Sequence, residues 1–99
     1  MFQVPVDQAR VAEFCLRWNI TEFSLFGSVL RDDFRPDSDV DVLVVFAPDT
    51  QLGWSDWQAM QEGLEEMFGR EVDLVEKRAV TNPFRRHHIL KTHRVVYAR

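Results

Sequence analysis

The chain has 99 residues, 45% of them hydrophobic and 28% charged, and a formal net charge of −4. That length supports one modest core, so a single domain over 1–99 is expected, with too few residues for a separate substrate-binding domain. The composition excludes a disordered chain, no run approaches the roughly 20 apolar residues of a membrane span, and the N-terminus lacks a charged-then-apolar signal pattern; a cytoplasmic globular protein without membrane association is expected.

Pro5 to Trp18 reads as the first helix, with Asp7 as N-cap and Val11, Phe14 and Trp18 recurring at helical spacing. Cys15, the single cysteine, can form no internal disulfide and reads as a small core residue. Glu22 to Phe26 gives the first strand, which ends at Gly27-Ser28. Gly27 lets the backbone approach a ligand closely, and Ser28 adds a hydroxyl beside the amides of a short helix, Ser28 to Asp33, whose N-terminus can face a phosphate. Ser28 can equally be an ordinary N-cap. Arg31, on the next turn, reads as a phosphate or carboxylate contact or as a surface charge.

A loop from Phe34 to Ser38, marked by Pro36, leads into Asp39 to Phe46. In a strand, Val40, Val42, Val44 and Phe46 share one face while Asp39 and Asp41 share the other. Two carboxylates projecting together at the buried start of a strand repel each other unless a cation or a basic group neutralises them. Oxygen-only ligands favour Mg²⁺ or Mn²⁺ over zinc. The strand is nearly continuously apolar after Asp41, so it belongs in the middle of a sheet with both faces covered.

Leu52 to Phe68 forms the next helix, with Trp54, Trp57, Met60, Leu64 and Met67 as an apolar stripe read as core. Gly63 weakens that helix's interior and Gly69 stops it. Glu71 to Val75 is a second strand; Val72 and Leu74 point one way, Glu71 and Asp73 the other. Asn82-Pro83 starts a helix running to about Lys91. Phe84 and Leu90 are its expected anchors, leaving Arg85, Arg86 and Lys91 for solvent or a partner, with His87 and His88 at the surface. His93 to Tyr97 closes as a short edge strand.

Charge is distributed unevenly. From Lys77 to Arg99 there are seven Lys or Arg and no Asp or Glu, so all 16 acidic residues precede that segment. The basic segment can face the aspartate pair and a bound triphosphate, dock an acidic partner, or be a solvated face. Nucleic acid is not expected as a direct partner, because the rest of the domain would repel a phosphate backbone.

Gly27-Ser28, Arg31 and Asp37-Ser38-Asp39-Val40-Asp41-Val42-Leu43-Val44 together resemble the signature of the DNA polymerase β-type nucleotidyltransferase superfamily. The short chain around them is similar to the minimal nucleotidyltransferases, the MNT antitoxins that accompany HEPN toxins. The resemblance implies an α/β fold, a small mixed β-sheet with helices packed over it and the two catalytic strands side by side. It also implies three carboxylates, Asp39, Asp41 and a third that matches Asp73 with Glu71 as rival, holding one or two Mg²⁺ ions, with Mn²⁺ as a substitute. Gly27, Ser28 and Arg31 would bind the triphosphate of ATP, and AMP would pass to a hydroxyl, that of a tyrosine, on a partner HEPN toxin. Asp32 departs from the pattern, since many relatives carry glycine after the arginine. Two other readings stay open: a small-molecule nucleotidyltransferase, and a non-catalytic antitoxin acting by contact alone.

Overall fold

The computed structural model describes residues 6–27 and 39–99. Helix α1, Gln8–Trp18, begins where Asp7 Oδ1 accepts from the N–H groups of Ala9 and Arg10 at 3.0 and 3.2 Å, satisfying two of the donors a helix start leaves unpaired. Asn19, at φ 58°, ends it in the left-handed conformation that asparagine tolerates. The chain therefore reverses within one residue, and strand β1, Ile20–Phe26, begins two residues earlier than the composition of Glu22 to Phe26 suggested.

Strand β2, Val40–Phe46, pairs antiparallel with β1 and parallel with β3, Val72–Glu76. Helix α2, Trp54–Phe68, makes the crossover between the two parallel strands. A 3-10 turn, Lys77–Ala79, follows β3 and was not foreseen. Helix α3, Pro83–Thr92, is capped by Asn82, whose Oδ1 accepts from Phe84 and Arg85 N–H, with proline at its first position as the sequence indicates. Strand β4, Arg94–Ala98, pairs antiparallel with β1. The order is β3-β2-β1-β4, so β2 is an inner strand and β4 an edge, as expected.

Two apolar clusters sandwich the sheet. Val40, Val42, Val44 and Phe46 meet Val11, Phe14 and Cys15 of α1 and Met60 and Leu64 of α2 on one face. On the other face Leu43 and Phe26 meet Val80 and Ile89, with Val75 and Leu90 packed against them. Burying the large side chains of the first cluster contributes about 1.5–3 kcal/mol each, and that cluster dominates the core. Gly63 sits where a Cβ would touch Phe14 at 3.5 Å, which marks where α1 and α2 approach each other.

Three expected placements are corrected. Trp54 is 82% exposed and stands at the first turn of α2 outside the stripe; Trp57, Met60, Leu64 and Met67 do pack inward. Phe84 is 86% exposed, and Ile89 with Leu90 anchors α3 instead. Arg86 is not free for solvent, because its Nη1 donates to the carbonyls of Lys77 at 2.8 Å and Val80 at 3.5 Å, tying α3 to the 3-10 turn.

Cys15 is fully buried, and desolvation pushes its thiol from 9.0 up to about 12, with Arg99 lowering it slightly. The raised value means the folded state resists ionisation of this group. Its contribution to stability is complete below pH 9.0 and is lost as pH rises towards about 12, where the folded thiol ionises. Native protein is expected to resist thiol alkylation at pH 8 while unfolded protein reacts at once. Rapid labelling of the native chain would overturn the assignment of Cys15 to the core.

Candidate active site

Strand alternation decides which face carries the acids. Val40, Val42 and Val44 belong to the cluster under α1 and α2, and Leu43 to the one under α3, so Asp41 shares the Leu43 face. On β3, Val72 and Leu74 likewise face α2, which puts Asp73 beside Val75 on the α3 side. The parallel register sets Asp41 directly opposite Asp73, on strands about 4.8 Å apart. Asp39 stands one residue ahead of β2 and is exposed; the alternation carried back one residue gives it the Asp41 side. Glu71, the rival, lies just before β3, where its carbonyl accepts from Val40 N–H at 3.0 Å. Register thus favours Asp73, which faces Asp41, over Glu71, which is level with Asp39.

Gly27 completes the arrangement from the third strand. Phe26, the last residue of β1, is the register partner of Asp41, and Gly27 follows it at φ 73°, a conformation that glycine adopts without penalty. A Cβ on residue 27 would overlap Asp41 Oδ2 and meet Asp41 Cγ at 3.0 Å. The Asp41 carboxylate therefore occupies the space that the missing side chain leaves. Ser28 and Arg31, the other two residues expected to hold nucleotide, lie outside the described residues, as do Asp32, the helix Ser28 to Asp33 and the loop Phe34 to Ser38.

Two positioning residues escaped the sequence reading. Gln61 of α2 donates from Nε2 to the Val72 carbonyl, and Glu65 Oε2 accepts from Val72 N–H at 3.4 Å. These two side chains hold the start of β3, one residue from Asp73, against the helix that leads into it. The signal was a polar pair at i and i+4, joined by a Gln61 to Glu65 hydrogen bond of 3.4 Å, on the flank of an apolar stripe.

Among the described residues no three His, Cys, Asp or Glu are grouped closely enough to hold a metal ion. The donor chemistry nevertheless suits a hard cation, because Asp41 and Asp73 are oxygen donors that the backbone register already sets side by side. Rotation of exposed Asp39 and Asp73 side chains about χ1 is the movement that would bring them towards Asp41.

Residues 9–96 match the nucleotidyltransferase domain family. The chain belongs to that family. This nucleotidyltransferase is 31% identical over 68 residues, 69% of its length and 68% of the relative's, to a candidate protein adenylyltransferase of Methanocaldococcus jannaschii. It is 39% identical over 61 residues, 62% of its length and 60% of the relative's, to the protein adenylyltransferase MntA of Thermococcus cleftensis. In fold it is similar to a chain of a toxin-antitoxin complex solved with AMP-PNP, with a TM-score of 0.74 at 17% identity over 95% of this chain and 75% of that one. It is also similar to a chain of the complex of a tri-AMPylated Shewanella oneidensis HEPN toxin with its MNT antitoxin, with a TM-score of 0.65 at 16% identity over 93% and 70%. The expected small mixed sheet with helices packed over it is thus present, with three helices and four strands among the described residues, and none of the described helices is long and apolar enough to cross a membrane.

Proposed function

We propose that this nucleotidyltransferase is a cytoplasmic antitoxin that transfers AMP from ATP to a tyrosine hydroxyl of a HEPN-type toxin and so neutralises it. The observation that carries the reading is the register: Asp41 faces Asp73 across parallel strands, with Gly27 cleared to admit the Asp41 carboxylate. The relatives named as protein adenylyltransferases, and the structures of related complexes with AMP-PNP and with AMPylated toxin, support ATP as donor and a protein as acceptor.

Asp39, Asp41 and Asp73 are the residues that would hold Mg²⁺, or Mn²⁺ in its place. Such a cation, when bound, supplies positive charge to the attacking and leaving oxygens of an in-line displacement. The chain's own groups do the rest. Asp73, the exposed member of the pair, would accept the proton of the incoming hydroxyl, whose oxygen then forms the bond to the α-phosphorus as pyrophosphate leaves. Asp41, fixed against Gly27, keeps a constant position while the flanking carboxylates adjust. Gly27, Ser28 and Arg31 would bind the triphosphate.

A second reading is neutralisation by contact alone. Co-expression of the chain with a HEPN-type toxin, followed by intact-mass measurement of the toxin, separates the two. Added AMP mass that disappears in Asp39→Asn, while the complex still forms, is the expected result. Protection from toxicity by Asp39→Asn with no mass added by either form would establish contact alone.

A further inference from the structure

The two faces of the sheet are covered unequally. One is roofed by α1 and α2 together, whereas the other, which carries Asp41 and Asp73, is covered among the described residues by α3 and the turn before it. An acceptor must reach the carboxylates on that second face. It therefore arrives beside α3, the helix that departs most from what a solvated surface helix should present.

Phe84 is 86% exposed, the most exposed of the large apolar side chains described. Around it on the same helix stand Arg85, His87, His88 and Lys91, all exposed. The neighbouring arginines have separate tasks: Arg86 is spent on the carbonyls of Lys77 and Val80, while Arg85 contributes only its backbone N–H to the Asn82 cap. Arg85 is exposed, and Lys91, at i+7 from Phe84, lies on the same helix face as the phenyl ring. An exposed aromatic on a helix that also exposes Arg85 and Lys91, with no acid from Lys77 to Arg99 in a chain that is otherwise strongly acidic, has the composition of an interface centre rather than of a solvent face.

We propose that the outer face of α3, centred on Phe84 and Arg85, is the surface on which the acceptor protein docks, and that the acceptor presents to it an apolar recess bordered by Asp or Glu. The inference rests on the proposed function for the identity of the acceptor, and on the sheet geometry for the location. Phe84 fills the recess, Arg85 and Lys91 pair with the acidic border, and the hydroxyl to be modified is held on the face that bears Asp41 and Asp73. Docking on α3 thus supplies the orientation of the hydroxyl towards the carboxylates.

The test measures affinity for an unmodified HEPN-type toxin by titration calorimetry, with ATP binding and AMP transfer measured on the same preparations. Phe84→Ala plus Arg85→Ala is expected to weaken toxin binding by at least ~10-fold while ATP binding is unchanged, and binding by the parent chain is expected to weaken as salt rises. Phe84→Leu, which keeps apolar bulk, is expected to retain more affinity than Phe84→Ala, and thermal unfolding of all variants checks the fold. Unchanged toxin affinity in the double variant overturns the docking proposal whether or not AMP is transferred. Binding that depends on Phe84 without any AMP transfer upholds the docking surface and overturns the transferase reading instead.

Discussion

Replacing Asp41 with asparagine is expected to lower AMP transfer by ~10³-fold or more, equivalent to about 4 kcal/mol of transition-state stabilisation. Asparagine has nearly the same shape, so the space beside Gly27 stays filled and the β-strand pairing is retained. What is lost is a formal charge facing Asp73. Because the isosteric amide keeps the packing beside Gly27, the thermal midpoint should stay close to that of the parent while activity collapses. That opposition distinguishes a site residue from a structural one. A variant that lost both activity and stability would assign Asp41 to the fold, and one that kept both would remove it from the site.

The second large effect is expected at Gly27. Alanine there meets two independent penalties: overlap of its Cβ with Asp41 Oδ2, and a backbone held at φ 73°, where a Cβ costs roughly 1–2 kcal/mol. The Asp41 carboxylate must move, and with it the geometry opposite Asp73, so transfer should fall by ~10²-fold or more. A double-mutant cycle isolates the cause. In an Asp41→Ala background the overlap is gone and only the backbone penalty remains, so Gly27→Ala should cost less stability there than in the parent chain. Equal costs in both backgrounds would show that the two residues do not share the space assigned to them.

The sequence disclosed the site's strands more readily than its surfaces. Alternation in Val40 to Phe46 placed the aspartates together and away from the core, and the apolar run after Asp41 placed β2 inside the sheet, because both conclusions follow from local side-chain period and burial. Caps were equally legible: Asp7 and Asn82-Pro83 start helices where their side-chain chemistry requires. Trp54 and Phe84 were misread for a common reason. Hydrophobicity indicates that burial is favourable, but whether a partner surface exists depends on how helices cross the sheet, which no local pattern encodes. Arg86 was misread because its acceptors are the carbonyls of a 3-10 turn that has no strong sequence signature. The pairing of β4 with β1, rather than with the other edge, likewise depends on the path of α3.

The crossover through α2 has a consequence for the order in which the site comes into being. Gly27 follows β1 and Asp41 lies on β2, strands that are neighbours in the chain and pair antiparallel, whereas Asp73 reaches Asp41 only when a parallel strand docks after a full helix has been laid across the sheet. Parallel pairing at long sequence separation forms late and, at a sheet edge, opens early. Its attachment at the outer edge combines the buried side chains of Val72 and Leu74 with the part-buried contacts of Gln61 and Glu65 to the Val72 backbone. Warming should therefore detach β3 from an otherwise intact hairpin, so that the two-strand half of the site outlives the whole, and catalytic competence vanishes at a temperature where most of the secondary structure still stands.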